Sequence, residues 1–458
     1  MSEDGPLVGD AVRRVILQAD ATEAQRESRP RPLEELERFP GEWASLNLNE
    51  SQMEAARAAY RQAVTLIIGP PGTGKSKVML LVARCLCRGH NRYLGKTEAR
   101  ILVTSQSHLP ISDLAVRLND VRVPVLRPFA PENDPSRVLG FRMRAEIPGQ
   151  LDNARVVCAT LVGCTKRPLH NVNYPIQVLE EAGQATEPAC LLSIARGCRQ
   201  LIMVGDPRQL PPHVRSPDGA LSISMLQRLQ AQGVGSYTLE VQYRTHSAIA
   251  DYIKDHVYLQ EFGHGPDVDA QVVPRFPWPQ ADRPVCVITV GDQKKAQDLE
   301  SPCATKEGGP ETSYANDCEC LVVKSVVEAF IRGGAAFPQI GIITPYGGQV
   351  LKLRSMIPCQ KHQVEIGSVD AFQGKEKEII IYSTVRCSES LSVGHVADRR
   401  RLTVALSRAK RALVVVSAKK HLERGAGSIT LAPFFEWVDA KHYVVSELDL
   451  LARANQLR

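Results

Sequence analysis

Short runs of aliphatic and β-branched residues recur along this chain, and stretches with helical spacing lie between them. The first series is VTLIIG (64–69), ILVTS (101–105), RVVCAT (155–160), PIQVL (175–179) and QLIMVG (200–205). The second is VCVITV (285–290), IGIIT (340–344), VEIGSV (364–369), KEIIIYSTV (377–385) and ALVVVSA (412–418). Strands buried on both faces read as nearly unbroken apolar runs, so this alternation specifies parallel sheets covered by helices. With 458 residues and roughly 150 residues to a domain, the chain has room for about three domains or two large ones, and the two series indicate two α/β domains.

Between Ser112 and Asp152 the pattern breaks, and PVLRPFAPENDPSR reads as an irregular insertion in the first domain. Residues 291–313, rich in charge and turn formers, read as a mobile loop. Residues 1–45 are polar and read as a tail with one short helix at Ala11 to Gln18. The expected division is therefore 1–45 tail, 46–236 first domain with the insertion at about 112–152, and 237–458 second domain.

Composition excludes several classes. Hydrophobic residues at 43% and charged residues at 23% are ordinary for a globular chain, and neither disorder nor a coiled coil fits them. No apolar run approaches the roughly 18 residues that span a bilayer, and the acidic start MSEDGPLVGD has no apolar signal core. A soluble protein of the cytoplasm or nucleus is expected, with no membrane partner. The twelve cysteines include no CxxC spacing, so they read as buried reduced thiols rather than zinc ligands. The net charge of +6 permits a polyanionic partner without requiring one.

Three strand ends carry the chemistry. Gly69-Pro70-Pro71-Gly72-Thr73-Gly74-Lys75-Ser76 fits GxxxxGK[ST] and lies between a strand and a helix. Backbone N–H groups there can cradle phosphates, Lys75 can reach the β- and γ-phosphates, and the Ser76 hydroxyl can hold Mg2+. PIQVLEEAGQ places Glu180 and Glu181 at a second strand end. Two carboxylates are costly there unless a cation is near, although such a pair taken alone is also a common helix N-terminal feature. Glu180 is assigned to the outer magnesium shell and Glu181 to general-base activation of water. The third strand end, GDPRQLPP, brings Asp206 and Gln209 to the same edge, where open parallel sheets bind ligands.

With these elements in order, the chain resembles the superfamily 1 helicases, specifically the up-frameshift-like group of 5′-to-3′ RNA and DNA translocases. The likeness runs over about residues 46–450. LNESQ (48–52) resembles the adenine-reading Q motif, GPPGTGKS motif I, ILVTSQSH motif Ia, VVCATLVGC motif Ic, EEAGQATEP motif II and GDPRQLPP motif III. LEVQYRTH (239–246) resembles motif IV, SVDAFQGKEKE (368–378) motif V, and RRLTVALSRAK (400–410) motif VI.

This resemblance implies two tandem RecA-like P-loop domains with a nucleotide cleft between them, and ATP and Mg2+ as cofactors. It further implies that Asn49 and Gln52 read adenine, that Tyr243 stacks on the base, that Glu376 touches the nucleotide, and that Arg244 and Arg408 meet the γ-phosphate, with Gln209 sensing it. Arg401 and Arg408, seven residues apart in a helix-like segment, are expected on one face. Ser107, Thr160, Pro345, Tyr346 and Ser368 are implied to line the track of single-stranded RNA or DNA. The implied function is an ATP-hydrolysing translocase that unwinds RNA or DNA 5′ to 3′ as a monomeric motor.

The chain departs from the family pattern in places. Motif II has Glu180 where relatives carry Asp, and motif Ia has Gln106 and His108 where Pro and Asn are common. The short Ia–Ic region and the length ahead of the Q motif leave no room for a β-barrel domain or a Cys/His-rich module. The rival reading is an ATP-dependent nucleic-acid clamp with weak or no unwinding. A switch GTPase is excluded for want of an NKxD-type guanine reader.

Overall fold

The structure, a computed structural model, describes residues 10–17, 46–88, 100–134, 151–214, 219–270, 272–291, 299–303, 313–357, 364–387, 394–424 and 428–450. The chain divides into two units, Met1–Val241 and Gln242–Arg458. Among the described residues, no helix is long and apolar enough to cross a membrane.

In the first unit, β1 (Val64–Ile68), β2 (Ile101–Ser105), β3 (Val125–Leu126), β4 (Val156–Thr160), β5 (Ile176–Leu179), β6 (Gln200–Gly205) and β7 (Ser236–Thr238) form one sheet in the order β3-β4-β2-β5-β6-β1-β7. Every pairing in it is parallel. Successive residues alternate between two cores, as a period of two requires. Ile67 and Val204 pack with Val78, Leu81 and Ile111 on one face, while Leu66 and Met203 pack with Cys190, Ile194 and Leu226 on the other. Burial on both faces is why the strands read as continuous apolar runs.

Within the 1–45 segment, a helix forms at Asp10–Ile16 and buries Val12 and Val15 in the second of these cores; residues 1–9 and 18–45 lie outside the described residues. One expectation needs correction. Residues 112–120 are not the start of an irregular insertion but the body of the helix His108–Asp120, whose Ile111, Leu114, Ala115 and Leu118 are spaced to bury one face. The central part of the expected insertion, 135–150, lies outside the described residues.

At the boundary between the units, β8 (Val241–Gln242) pairs with β9 (Gly263–His264). The main sheet of the second unit comprises β10 (Val285–Thr289), β13 (Ile340–Thr344), β14 (Glu365–Ser368), β15 (Lys377–Ser383), β16 (Ala409–Ser417) and β17 (Val444–Ser446), ordered β14-β13-β15-β16-β10-β17. It too is wholly parallel. The 291–313 stretch is corrected as well: β11 (Glu300–Cys303), within it, forms an antiparallel ribbon with β12 (Ser313–Asn316), which begins at its last residue. Glu300 anchors that ribbon by accepting from Arg386 Nε at 3.1 Å and Cys387 N at 2.6 Å. Residues 292–298 and 304–312 lie outside the described residues.

A buried carboxyl ties the strand ends of this sheet together. Glu319, on the helix Asp317–Arg332, accepts from Ser383 Oγ (2.5 Å), Val385 N (2.9 Å) and Thr384 Oγ1 (3.1 Å). No cation is among these partners, and burial pushes its pKa up to about 7 against the opposing effect of these hydrogen bonds.

Candidate functional site: a phosphate-loop edge and an arginine cluster

In the first unit, β5, β6 and β1 are neighbours, so their carboxyl ends bring together Glu180, Asp206 and the Gly69–Ser76 loop. Gly69 N donates to Gly205 O at 3.2 Å, which fastens the loop to the end of β6. Gly72 and Gly74 have φ of +78° and +85°, a region other residues enter at a cost of about 1–2 kcal/mol. A Cβ on Gly74 would stand 2.6 Å from Gln52 Nε2. The helix Lys75–Arg88 follows directly, and its first N–H groups have no intrahelical acceptor.

Lys75 Nζ donates to Gly69 O (2.6 Å) and Pro70 O (3.3 Å), so the ammonium is folded over the mouth of its own loop. Thr73 Oγ1 closes the turn on Pro70 O at 2.8 Å. Glu180 is 4% exposed and its Oε1 has no hydrogen-bond partner. Its pKa is pushed up to about 8, first by burial and then by the neighbouring Glu181, with Lys75 pulling the other way. An orphaned buried carboxyl oxygen beside a phosphate loop fits a site for a divalent cation. Glu181 has φ +51° and ψ +41°, a left-handed backbone that a non-glycine residue adopts only under strain, and its Oε2 accepts from Gln184 Nε2 at 2.9 Å. Gln209, buried rather than idle in solvent, donates to Asp206 Oδ2 at 2.7 Å.

The Q motif is a capping box on the helix Glu50–Arg61. Asn49 Oδ1 accepts from Gln52 N (2.9 Å), and Gln52 Oε1 accepts from Asn49 N (3.1 Å). Gln52 Nε2 also donates to Thr73 O at 2.8 Å. Its amide is thus turned onto the phosphate loop and its own cap, with the side chain buried.

In the second unit, Arg244 Nε lies 2.5 Å from Glu376 Oε2, and Lys410 Nζ lies 2.8 Å from Glu376 Oε1. Burial acts to raise the Glu376 pKa, but Arg244 and Lys410 outweigh it and hold the carboxyl below the ordinary range. Lys375 and Lys377 pair with Glu365. The expected helical face for Arg401 and Arg408 is not formed. The helix ends at Leu406 and β16 begins at Ala409, because the apolar run that follows Arg408 joins the sheet. Arg408 is buried and donates from Nε to Val404 O (3.1 Å) and from a terminal nitrogen to Ser407 Oγ (2.8 Å). Arg401 pairs with Asp398 and Asp370. Tyr243 is 43% exposed.

The expected nucleic-acid residues fare unevenly. Ser107 is exposed at the start of the helix His108–Asp120, with no side-chain cap bond. Thr160 Oγ1 accepts from Gly163 N (2.9 Å) and Ser368 Oγ accepts from Ala371 N (3.2 Å), both at strand ends. Pro345 follows β13 directly and is half-buried. Tyr346 is 5% exposed and packs beside Tyr314, His395 and Arg386. Sequence reasoning quoted Gln242 and Lys410 inside motifs IV and VI but gave them no role, and it missed Asp251 and His264; all four contact the Arg244 loop or its Glu376 partner directly or through one another. Among the described residues no cluster of metal-ligating side chains occurs and the cysteines are free thiols.

Two AAA-domain family models match the chain, one over residues 47–150 and 141–217 and the other over residues 221–420. The chain is 30% identical over 430 residues to the "Regulator of nonsense transcripts 1 homolog" of Drosophila melanogaster, covering 82% of this chain and 35% of that protein. It is also 30% identical to "ATP-dependent helicase upf1" of Schizosaccharomyces pombe (83% of this chain, 45% of that one). With "ATP-dependent helicase NAM7" of Saccharomyces cerevisiae the identity is 29% (82% and 42%). The chain thus spans between a third and a half of the length of these curated relatives. With AAA-domain matches running from residue 47 to residue 420 across two parallel-sheet units, the chain belongs to the up-frameshift-like family of superfamily 1 helicases.

Proposed function

We propose that the chain binds and hydrolyses ATP and uses the cycle to move along single-stranded RNA or DNA and separate duplexes, in the 5′-to-3′ direction. The observation that carries this reading is the convergence of Lys75, the orphaned Glu180 oxygen and the Asp206–Gln209 pair at three adjacent strand ends. The triphosphate takes the Lys75 ammonium from the Gly69 and Pro70 carbonyls, while the loop and helix N–H groups hold its oxygens. Ser76 and Glu180 would hold Mg2+, which supplies charge neutralisation of the β- and γ-phosphates. Glu181 accepts the proton of the attacking water, and Gln209 orients that water or the γ-phosphate.

In the second unit, the delocalised charge of Arg244 and Arg408 suits a phosphoryl-transfer transition state, Tyr243 is the candidate for stacking on a base, and Glu376 holds Arg244. Asn49 and Gln52 act at the adenine end of the loop. Nucleic acid is held through its phosphates, without sequence preference, along Ser107, Thr160, Pro345, Tyr346 and Ser368. A monomeric motor of the cytoplasm or nucleus is the simplest form of this reading.

The clamp reading is favoured by one specific feature, the longer carboxylate at position 180. ATPase measured with and without single-stranded RNA and DNA, followed by strand separation on 5′- and 3′-tailed duplexes, tests both. Stimulated hydrolysis with unwinding of the 5′-tailed duplex supports the motor. Stimulated hydrolysis without unwinding supports the clamp, and the absence of ATP binding refutes both.

A further inference from the structure

The backbone that carries Arg244 is held by one side chain. Gln242 Oε1 accepts from both Arg244 N (2.9 Å) and Thr245 N (2.9 Å), and Gln242 Nε2 donates to Thr245 O (2.7 Å). Two backbone donors on the same oxygen fix which end of the amide is which. The second amide hydrogen faces His264 Nδ1 at 2.9 Å, so Nδ1 must be the acceptor. The other ring nitrogen, Nε2, lies 3.0 Å from Asp251 Oδ1, a carboxylate that can only accept. Both neighbours therefore demand the same neutral tautomer, with its proton on Nε2.

The brace continues beyond the loop. Thr245 Oγ1 donates to Ala409 O (3.1 Å) and His246 N donates to Lys410 O (2.8 Å), which stitches the Arg244 loop to the residues directly after Arg408. Gly265 N donates to Gln242 O at 2.8 Å, and a Cβ on Gly265 would meet Tyr243 Cδ1 at 2.4 Å. The strand that presents His264 to Gln242 thereby also sets where the Tyr243 ring lies.

We propose that Asp251, His264 and Gln242 form a positioning relay that sets Arg244, and with it the Tyr243 ring, for the nucleotide. None of the three needs to touch ATP. Gln242 is buried with its donors and acceptors engaged, and the relay delivers an oriented imidazole acceptor to it. The proposal deepens the ATPase reading above and depends on it for its kinetic readout alone.

The relay predicts an unusual order among substitutions at one position. In His264→Asn the amide oxygen falls near the site of Nδ1 and can accept from Gln242. In His264→Gln the amide nitrogen falls near the site of Nε2 and reaches Asp251 instead. His264→Ala and His264→Gln should lower kcat of the nucleic-acid-stimulated ATPase by about tenfold or more, the loss expected when a buried donor is left without its partner, with KM for ATP changed far less. His264→Asn should recover most of that loss.

Hydrogen exchange at the Arg244 and Thr245 amides supplies a second readout that needs no turnover. Exchange there should quicken in the Ala and Gln variants and stay slow in the Asn variant. Rescue by Gln rather than Asn, or unchanged exchange and kcat in the Ala variant, overturns the relay. If wild type and Lys75→Ala are equally inactive, the ATPase reading fails, and the exchange pattern alone decides the relay.

Discussion

Replacing Glu319 by Gln should make stability less dependent on pH, and the size of the effect follows from the burial of this carboxyl. Its folded pKa is raised to about 7 from an ordinary 4.5, burial being the largest cause. A raised carboxyl pKa means that the folded state holds the proton more tightly than the unfolded one. The stability linked to Glu319 is therefore complete below pH 4.5 and is lost as pH rises through 7. At about 1.4 kcal/mol per pH unit, with curvature near both pKa values, the loss between pH 5 and pH 8 comes to about 2 to 3 kcal/mol.

Gln can occupy the same space with its hydrogen bonds met. Its oxygen takes the Ser383 and Val385 donors, and its nitrogen donates to Thr384 Oγ1, which already reaches Ser417 Oγ at 3.0 Å. Urea denaturation of wild type and Glu319→Gln at pH 5, 6, 7 and 8 isolates this group, because the other titrating residues are common to both chains. The variant should gain on wild type by about 2 to 3 kcal/mol from pH 5 to pH 8. A difference that stays constant over that range would falsify the assignment of Glu319 as the titrating group.

At the phosphate loop, Lys75→Ala and Glu181→Gln should each lower ATP turnover at least about a hundredfold, the second with ATP binding nearly intact; a wild-type rate in either removes the role assigned to it. Gly74→Ala adds a Cβ 2.6 Å from Gln52 Nε2 at a φ of +85°, and should weaken ATP binding by about tenfold or more, roughly 1.4 kcal/mol, in a nucleotide titration. Arg408→Lys keeps the charge but loses the planar fork, so steady-state kinetics should show the loss in kcat rather than KM. An unchanged kcat takes Arg408 out of the reaction.

Ten strands of the two main sheets were legible in the sequence as apolar runs such as VTLII and ALVVVS, while the short strands β3, β7 and β17 were not. Nor were the edge pairs. β8 and β9 are two residues each, too short to carry a period, and β11 contains a proline and two exposed residues. Motif order placed Lys75, Glu180 and Glu181 correctly on one edge, because a strand end and the residues after it are local facts. The seven-residue spacing of Arg401 and Arg408 misled, because the helix stops at Leu406 and a spacing rule holds only inside one element. The pairing of His264 with Gln242 gave no signal, since it depends on which short strands meet.

The stitches from Thr245 to Ala409 and from His246 to Lys410 have a consequence for both arginines. Arg244 and Arg408, far apart in sequence, are thereby carried on one backbone framework, and a substitution that loosens the start of β16 should disturb both together.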